Sequence, residues 1–276
     1  MQSPRLMDQV RAKLRALHYS HLTEKAYVTW IRRFILFHGK QHPLVLGAAH
    51  IEIFLNDLAV RRKVSATTQN QALNALLFLY KRVLEADLPW LEGVVRAKKP
   101  SRLPVVLSEQ EVAALLAGLD GVYWLIGGLL YGSGLRVMEC LRLRVKDIDI
   151  AGRQLIVRSG KGEKDRVTVL ADAVVPALEQ HLARRREQHR LDCSRGSGEV
   201  YLPYALARKY PTAGRAWAWQ FIFPAHRDIV LRGSTRPVRW HLHEKNVQRA
   251  IEGAVLRAGI DKPASCHTLR HSFATH

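Results

Sequence analysis

The sequence predicts an α+β chain in two parts: an all-helical N-terminal domain, then a mixed α/β domain holding a small antiparallel sheet. Three observations carry this. Apolar residues recur at helical spacing through roughly the first hundred positions. A basic, proline-broken stretch then interrupts the pattern, and beyond it helical stripes flank a segment in which apolar and polar residues alternate.

Between residues 23 and 40, Ala26, Tyr27, Trp30, Phe34, Ile35 and Phe37 repeat with a helix period, which returns over 51–60 and 72–83. Tyr27, Trp30, Phe34 and Tyr80 lie on these stripes and are expected in the core. Arg32, Arg33, Arg61, Arg62, Lys63, Lys81 and Arg82 fall between the stripes, on exposed faces. Solvation alone would explain them, but their one-sided excess favours a surface for DNA.

After Trp90 the text reads LEGVVRAKKPSRLPVVLSEQE and reaches Ser108 with Glu111 three residues on, a capping-box start for a new helix. The expected division is a helical domain over 1–94, a linker over 95–106 and a second domain over 107–276. In that second domain residues 122–131 read as a buried apolar helix, broken by Gly132-Ser133-Gly134 and resumed over 135–143, with Arg136 at the new start. DIDIAGRQLIVRSGKGEKDRVTVLA alternates around two turn signals and reads as the antiparallel sheet, with Lys161 in a hairpin. Helix follows over 173–190, an irregular stretch rich in Gly, Pro, Tyr and Trp over about 194–243, and helix again over 244–258 and near Thr268. Within the irregular stretch Trp217, Trp219, Phe221 and Phe223 alternate as a buried strand would.

Lys and Arg number 43 against 24 Asp and Glu, a formal charge of +19. Residues 1–100 hold 16 of the basic and 7 of the acidic residues, so the excess is shared by both parts and is no mere basic tail. Such a field holds a polyanion through counterion release, which makes nucleic acid the expected partner, with a ribosomal or acidic-membrane surface as the bland alternative. No apolar run approaches the ~20 residues of a membrane span, and the opening residues form a charged helical pattern, so a cytoplasmic protein is expected. Cys140, Cys193 and Cys266 are too irregularly spaced for a disulfide framework or zinc knuckles.

GSGLRVMEC, SGKGEK and CHTLRHSFATH supply Arg136, Lys161, His267 and Arg270, each beside a helix start or tight turn. Two arginines can grip the non-bridging oxygens of a phosphodiester and neutralise the charge that grows in its transition state. A hairpin lysine can protonate a departing oxygen, and a histidine can relay the proton of an attacking hydroxyl. Ordinary readings remain open for each residue alone: Arg136 could merely pair with Glu139, and Lys164 could take the place of Lys161. His267 and His271 stand at i and i+4, but Thr268 replaces the Glu of a zincin helix and no third ligand is evident, so no metal or other cofactor is expected.

GLRVMECLRL resembles the first arginine box of tyrosine recombinases, GKGEKDR their hairpin lysine and HTLRHSFATH their His-x-x-Arg box, in the family's order. LARKYPTAGRAWAWQFIFPA followed by VRWHLHEKNVQRA resembles the extra segment of integron integrases within that family. The resemblance implies a SAM-like core-binding domain and a catalytic domain forming a C-shaped clamp on DNA, and strand exchange through a phosphotyrosine link without metal or ATP. It implies that Arg136 and Arg270 bind the scissile phosphate, Lys161 acts as general acid, His267 assists proton transfer and Glu139 supports Arg136. For the insert it implies that Trp219, Trp240, His241 and His243 hold extruded bases of a folded single-stranded cassette site, with Lys209 and Arg239 on nearby phosphates. The second substrate would be a duplex platform site, the assembly a homotetramer on DNA, and the location the bacterial cytoplasm and nucleoid.

The family also needs a second His or Trp and a nucleophilic Tyr after the His-x-x-Arg box. All eight tyrosines, Tyr19, Tyr27, Tyr80, Tyr123, Tyr131, Tyr201, Tyr204 and Tyr210, precede it, so both groups are expected beyond His276. Two rival expectations follow: a DNA-binding remnant that does not cleave, and a phage- or Xer-type recombinase acting on duplex sites.

Overall fold

The computed structural model describes residues 5–86, 97, 103–158, 165–202, 206–230 and 237–276. The chain forms two units, Met1–Arg102 and Leu103–His276. In the first, α1 (Leu6–Ala16), α2 (His21–Phe37), α3 (Ala48–Asn56) and α4 (Ala66–Phe78) share one apolar core. Ser20 and Ser65 start α2 and α4, their hydroxyls accepting from the amides of Thr23 and Thr68 at 3.1 and 3.3 Å, donors that a helix start otherwise leaves free.

Trp30, Phe34 and Tyr80 are buried in this core and Tyr27 packs half-buried against it. The Tyr80 hydroxyl reaches the carbonyls of Pro43 and Leu46 at 2.9 and 2.8 Å, and burial pushes its pKa up to about 12. Arg32, Arg33, Arg61, Arg62, Lys63, Lys81 and Arg82 are all exposed. Arg61 and Arg62 pair with the buried carboxylate of Asp57 at 3.2 and 2.9 Å.

The second unit begins with α5 (Glu109–Ala117), α6 (Gly121–Gly132) and α7 (Val137–Leu141), then β1 (Ile148–Asp149), β2 (Gln154–Val157) and β3 (Arg166–Val169). It continues with α8 (Val175–Ser194), α9 (Leu206–Lys209), β4 (Pro224–Val230), β5 (Pro237–His241), α10 (Glu244–Arg257) and α11 (Cys266–Thr275). The capping box is present at α5: the Ser108 amide donates to Glu111 at 2.7 Å and the Glu111 amide to the Ser108 hydroxyl at 3.2 Å. Leu129, Leu135, Leu141, Leu155, Val247 and Leu269 lie in a core that joins α6, α7, α10 and α11 to one face of the sheet. Among the described residues no helix is long and apolar enough to cross a membrane.

Strands β1, β2 and β3 form an antiparallel sheet in that order, with Leu155 opposite Thr168 and Val157 opposite Arg166. The phase of β3 is inverted relative to a simple amphipathic strand. Arg166 and Thr168 take the covered face while Val167 and Val169 point outward, 58% and 48% exposed. The inward polar pair is satisfied locally, Thr168 donating to the Ser133 carbonyl at 2.9 Å.

The insert differs from the expectation at two places. Trp217–Trp219 is a 3-10 turn and not the start of a buried strand, and Phe221, Ile222 and Phe223 are buried consecutively. The cause is that this segment is covered on both sides, Ile222 and Phe223 by the core and Phe221 by Arg144, Trp240 and His241. The Val145 amide donates to the Gln220 carbonyl at 3.1 Å and the Ile222 amide to the Leu143 carbonyl at 3.0 Å. The stretch expected to be irregular also contains the antiparallel pair β4–β5, with a register shift between Pro224 and Asp228.

Candidate functional site

Arg136 sits at the N-cap of α7, directly after the tight turn at Gly134. Gly134 has φ +60°, and a Cβ there would collide with the ring of Phe273 on α11, so glycine is what lets α11 lie against this turn. Arg270, also on α11, donates through Nη1 to the Gly134 carbonyl. A backbone turn and a helix from far along the chain thus bring the two arginines to one place.

Glu139 joins them. Its Oε2 accepts from the Arg136 amide at 2.9 Å and its Oε1 from Arg136 Nη1 at 2.6 Å, while Arg270 Nη1 stands 3.6 Å from Oε2. Arg166, on β3, grips the same carboxylate with both prongs, Nη1 to Oε1 at 3.0 Å and Nη2 to Oε2 at 2.6 Å. The Glu139 side chain is only 8% exposed, whereas Arg136 and Arg270 keep 33% and 28% open to solvent. The acid is covered and the cations face outward.

Burial by itself would raise the Glu139 carboxyl, but hydrogen bonds from Arg166 and from the Arg136 amide and side chain outweigh it and bring the pKa down to about 2. Burial and the neighbouring charge of Arg136 lower that of Arg270. Three guanidinium groups face one carboxylate, leaving two uncompensated positive charges. Such a cluster suits a phosphodiester, whose two non-bridging oxygens match the forked donors of arginine.

His267 is exposed near the start of α11, three positions before Arg270, and its ring centroid is 6.2 Å from that of His271. Lys161 and its rival Lys164 lie outside the described residues. Among the described residues no group of three His, Cys, Asp or Glu side chains is set to hold a metal ion.

The insert's candidates fall into two groups. Trp240 belongs to an aromatic cluster, 5.2 Å from Tyr201, 6.1 Å from Phe221 and 5.3 Å from His241 between ring centroids, and Trp219 is linked to it through Arg144, whose guanidinium lies 5.6 Å from its ring. Buried Arg144 anchors the cluster, donating to the carbonyls of Trp219 and Tyr201 at 2.6 and 2.8 Å with its guanidinium 4.3 Å from the Phe221 ring. Lys146 Nζ stands 3.2 Å from the Trp219 ring centroid. His241 is buried with Nδ1 2.8 Å from the Leu242 carbonyl, and desolvation lowers its pKa. His243 is exposed and caps α10, its Nδ1 accepting from the Lys245 amide at 3.2 Å.

Of the other two, Arg239 is paired with carboxylates and Lys209 is exposed. Arg239 is engaged by Asp228 and lies 3.6 Å from Asp192, and Lys209 is exposed at the end of α9 beside Tyr210. Arg166, Arg144, Lys146 and Tyr201 were not among the residues expected from sequence. The sequence carries no signal for Arg166, whose inward facing is set by the β2–β3 register.

Residues 6–90 match the family description "Phage integrase, N-terminal SAM-like domain" and residues 106–276 match "Phage integrase family". An "Integrase/recombinase" of Escherichia coli is 48% identical over 275 residues, covering 100% of this chain and 82% of the relative. Tyrosine recombinase XerD of Agrobacterium fabrum is 31% identical over 245 residues, covering 82% of this chain and 66% of XerD. Among solved structures, the Tn1549 transposon integrase in complex with transposon right end DNA aligns with a TM-score of 0.65 at 16% identity over 98% of this chain and 85% of that one. XerH recombinase bound to its difH substrate aligns with a TM-score of 0.62 at 18% identity over 99% and 74%. These two share the fold.

Proposed function

This chain belongs to the phage integrase family, the tyrosine recombinases, and from that premise we propose that it recombines integron cassette sites with a platform attachment site. The observation that carries the chemistry is the meeting of Arg136 and Arg270, from α7 and α11, at the Glu139 carboxylate. In this reading the two arginines hold the scissile phosphate and neutralise the charge of the pentacovalent transition state. His267, three positions before Arg270, assists the proton transfer. Lys161 protonates the departing 5′ oxygen. The family's tyrosine supplies the nucleophile, and a 3′-phosphotyrosyl bond conserves the energy needed for rejoining.

The substrate class rests on the insert. Trp240, in the aromatic cluster, and Trp219, tied to it through Arg144, offer flat faces, and stacking on such faces is worth ~1 to 3 kcal/mol per base. Bases that protrude from a folded single strand can reach them, whereas bases inside a regular duplex cannot. Lys209, His243 and the exposed basic residues of the first unit would hold backbone, and four protomers would assemble on two sites.

A gel-shift comparison tests the substrate class. The protein should bind a folded bottom-strand hairpin with unpaired bases more tightly than the duplex of the same sequence. Equal affinity would favour a recombinase of duplex sites. A suicide substrate tests the chemistry: a phosphatase-resistant, protease-sensitive adduct with full-length protein is expected, and hairpin binding with no adduct would leave a DNA-binding remnant.

A further inference from the structure

We infer that Arg166 is a positioning residue of the anion site, acting through Glu139 to keep the guanidinium groups of Arg136 and Arg270 free for a phosphate. This rests on the anion-site reading above. Both terminal nitrogens of Arg166 donate to the two oxygens of Glu139, at 3.0 and 2.6 Å, so the forked edge of its guanidinium is turned to the carboxylate. It is fixed at its root as well, on β3 opposite the buried Val157.

Without Arg166, Glu139 would be a covered carboxylate facing only Arg136 and Arg270, and Arg270 Nη1 already stands 3.6 Å away. Charge balance would then draw Arg270 onto Glu139, away from the ligand. With Arg166 in place, the acid's charge is met from the sheet side, and Arg136 and Arg270 keep their solvent-facing edges. Arg166 therefore does not touch the anion; it determines whether its neighbours can.

The test is sulfate binding to the intact chain by calorimetry at constant ionic strength, since sulfate is a tetrahedral dianion that does not titrate near neutral pH. The site's share is the heat lost in Arg136→Ala. Four proteins are compared: wild type, Arg166→Ala, Glu139→Gln and the double variant, each first shown native by circular dichroism. Arg166→Ala should weaken sulfate about tenfold, and the double variant should lie within about twofold of Glu139→Gln alone, as coupled groups do. Should Arg166→Ala fail to fold, Arg166→Lys serves: it keeps the charge without the fork and should lose about threefold.

An undiminished loss in the Glu139→Gln background would mean that Arg166 contacts the anion directly and would overturn the inference. Unchanged affinity in Arg166→Ala would overturn it too, while leaving the anion site standing. If wild type shows no sulfate heat that Arg136→Ala removes, the anion-site reading itself fails, and this inference with it.

Discussion

The ammonium group of Lys146 lies 3.2 Å from the centre of the Trp219 ring, so one face of this indole is already covered by a cation. Burial, and the nearby charges of Arg158 and Arg144, lower the pKa of that lysine. In the proposed reading a base at Trp219 would stack on the opposite face, with positive charge behind the ring. Trp219→Ala should weaken binding to a hairpin with protruding bases about tenfold or more and leave duplex affinity within about twofold. Titration of labelled hairpin and duplex by fluorescence anisotropy checks this.

Arg144 is a structural counterpart to that surface. Its side chain donates to two carbonyls from inside the fold, at 2.6 and 2.8 Å, and burial lowers its pKa. Replacing it with Met removes both bonds and leaves the Trp219 and Tyr201 carbonyls short of donors. Arg144→Met should destabilise the second unit by roughly 2 to 4 kcal/mol, read by urea denaturation, because unsatisfied buried acceptors cost about 1 to 3 kcal/mol each and partly rehydrate.

Gly134 couples the turn before α7 to α11. With φ +60° and the Phe273 ring against its Cα, Gly134→Ala incurs both backbone strain and a clash. A loss of roughly 2 to 3 kcal/mol in denaturant unfolding is expected. Phe273→Ala in the same chain should relieve the clash but not the strain, restoring part of the loss.

The helical layout, the capping box at Ser108 and the small sheet were legible because each is written in local spacing. Arg136 and Arg270 stood out as candidates because each lies in a short, distinctive stretch. Arg166 was not legible, since its partner Glu139 is distant in sequence and only the β2–β3 register turns it inward. The 217–223 segment misled for a related reason: alternation in composition implies a strand only when one face is open, and here Ile222 and Phe223 enter the core while Arg144, Trp240 and His241 cover Phe221. β4–β5 gave little signal because it starts at Pro224 and Pro237 and carries few apolar residues in phase.

Acid stability should report on Glu139. Its folded pKa is depressed to about 2 from an ordinary 4.5, so its stabilisation is fully present above pH ~5 and disappears as the pH falls toward 2. At neutral pH that linkage amounts to roughly 3 kcal/mol as an upper figure. The stability difference between wild type and Glu139→Gln should therefore hold level from pH 6 to about pH 5 and shrink from there to pH 3 in thermal unfolding. A difference that stays constant across that range would mean Glu139 is not held ionised by the arginines.

The convergence of Arg136 and Arg270 on one phosphate is tested most directly with DNA carrying a single neutral methylphosphonate at the cleavage position. Wild-type protein should bind this DNA about tenfold more weakly than the all-phosphate parent. Arg136→Ala with Arg270→Ala should bind both DNAs equally, since the guanidinium groups that would grip that phosphate are gone. If the double variant still distinguishes the two DNAs as wild type does, the arginines do not share that phosphate, and the proposed cleavage site is wrong.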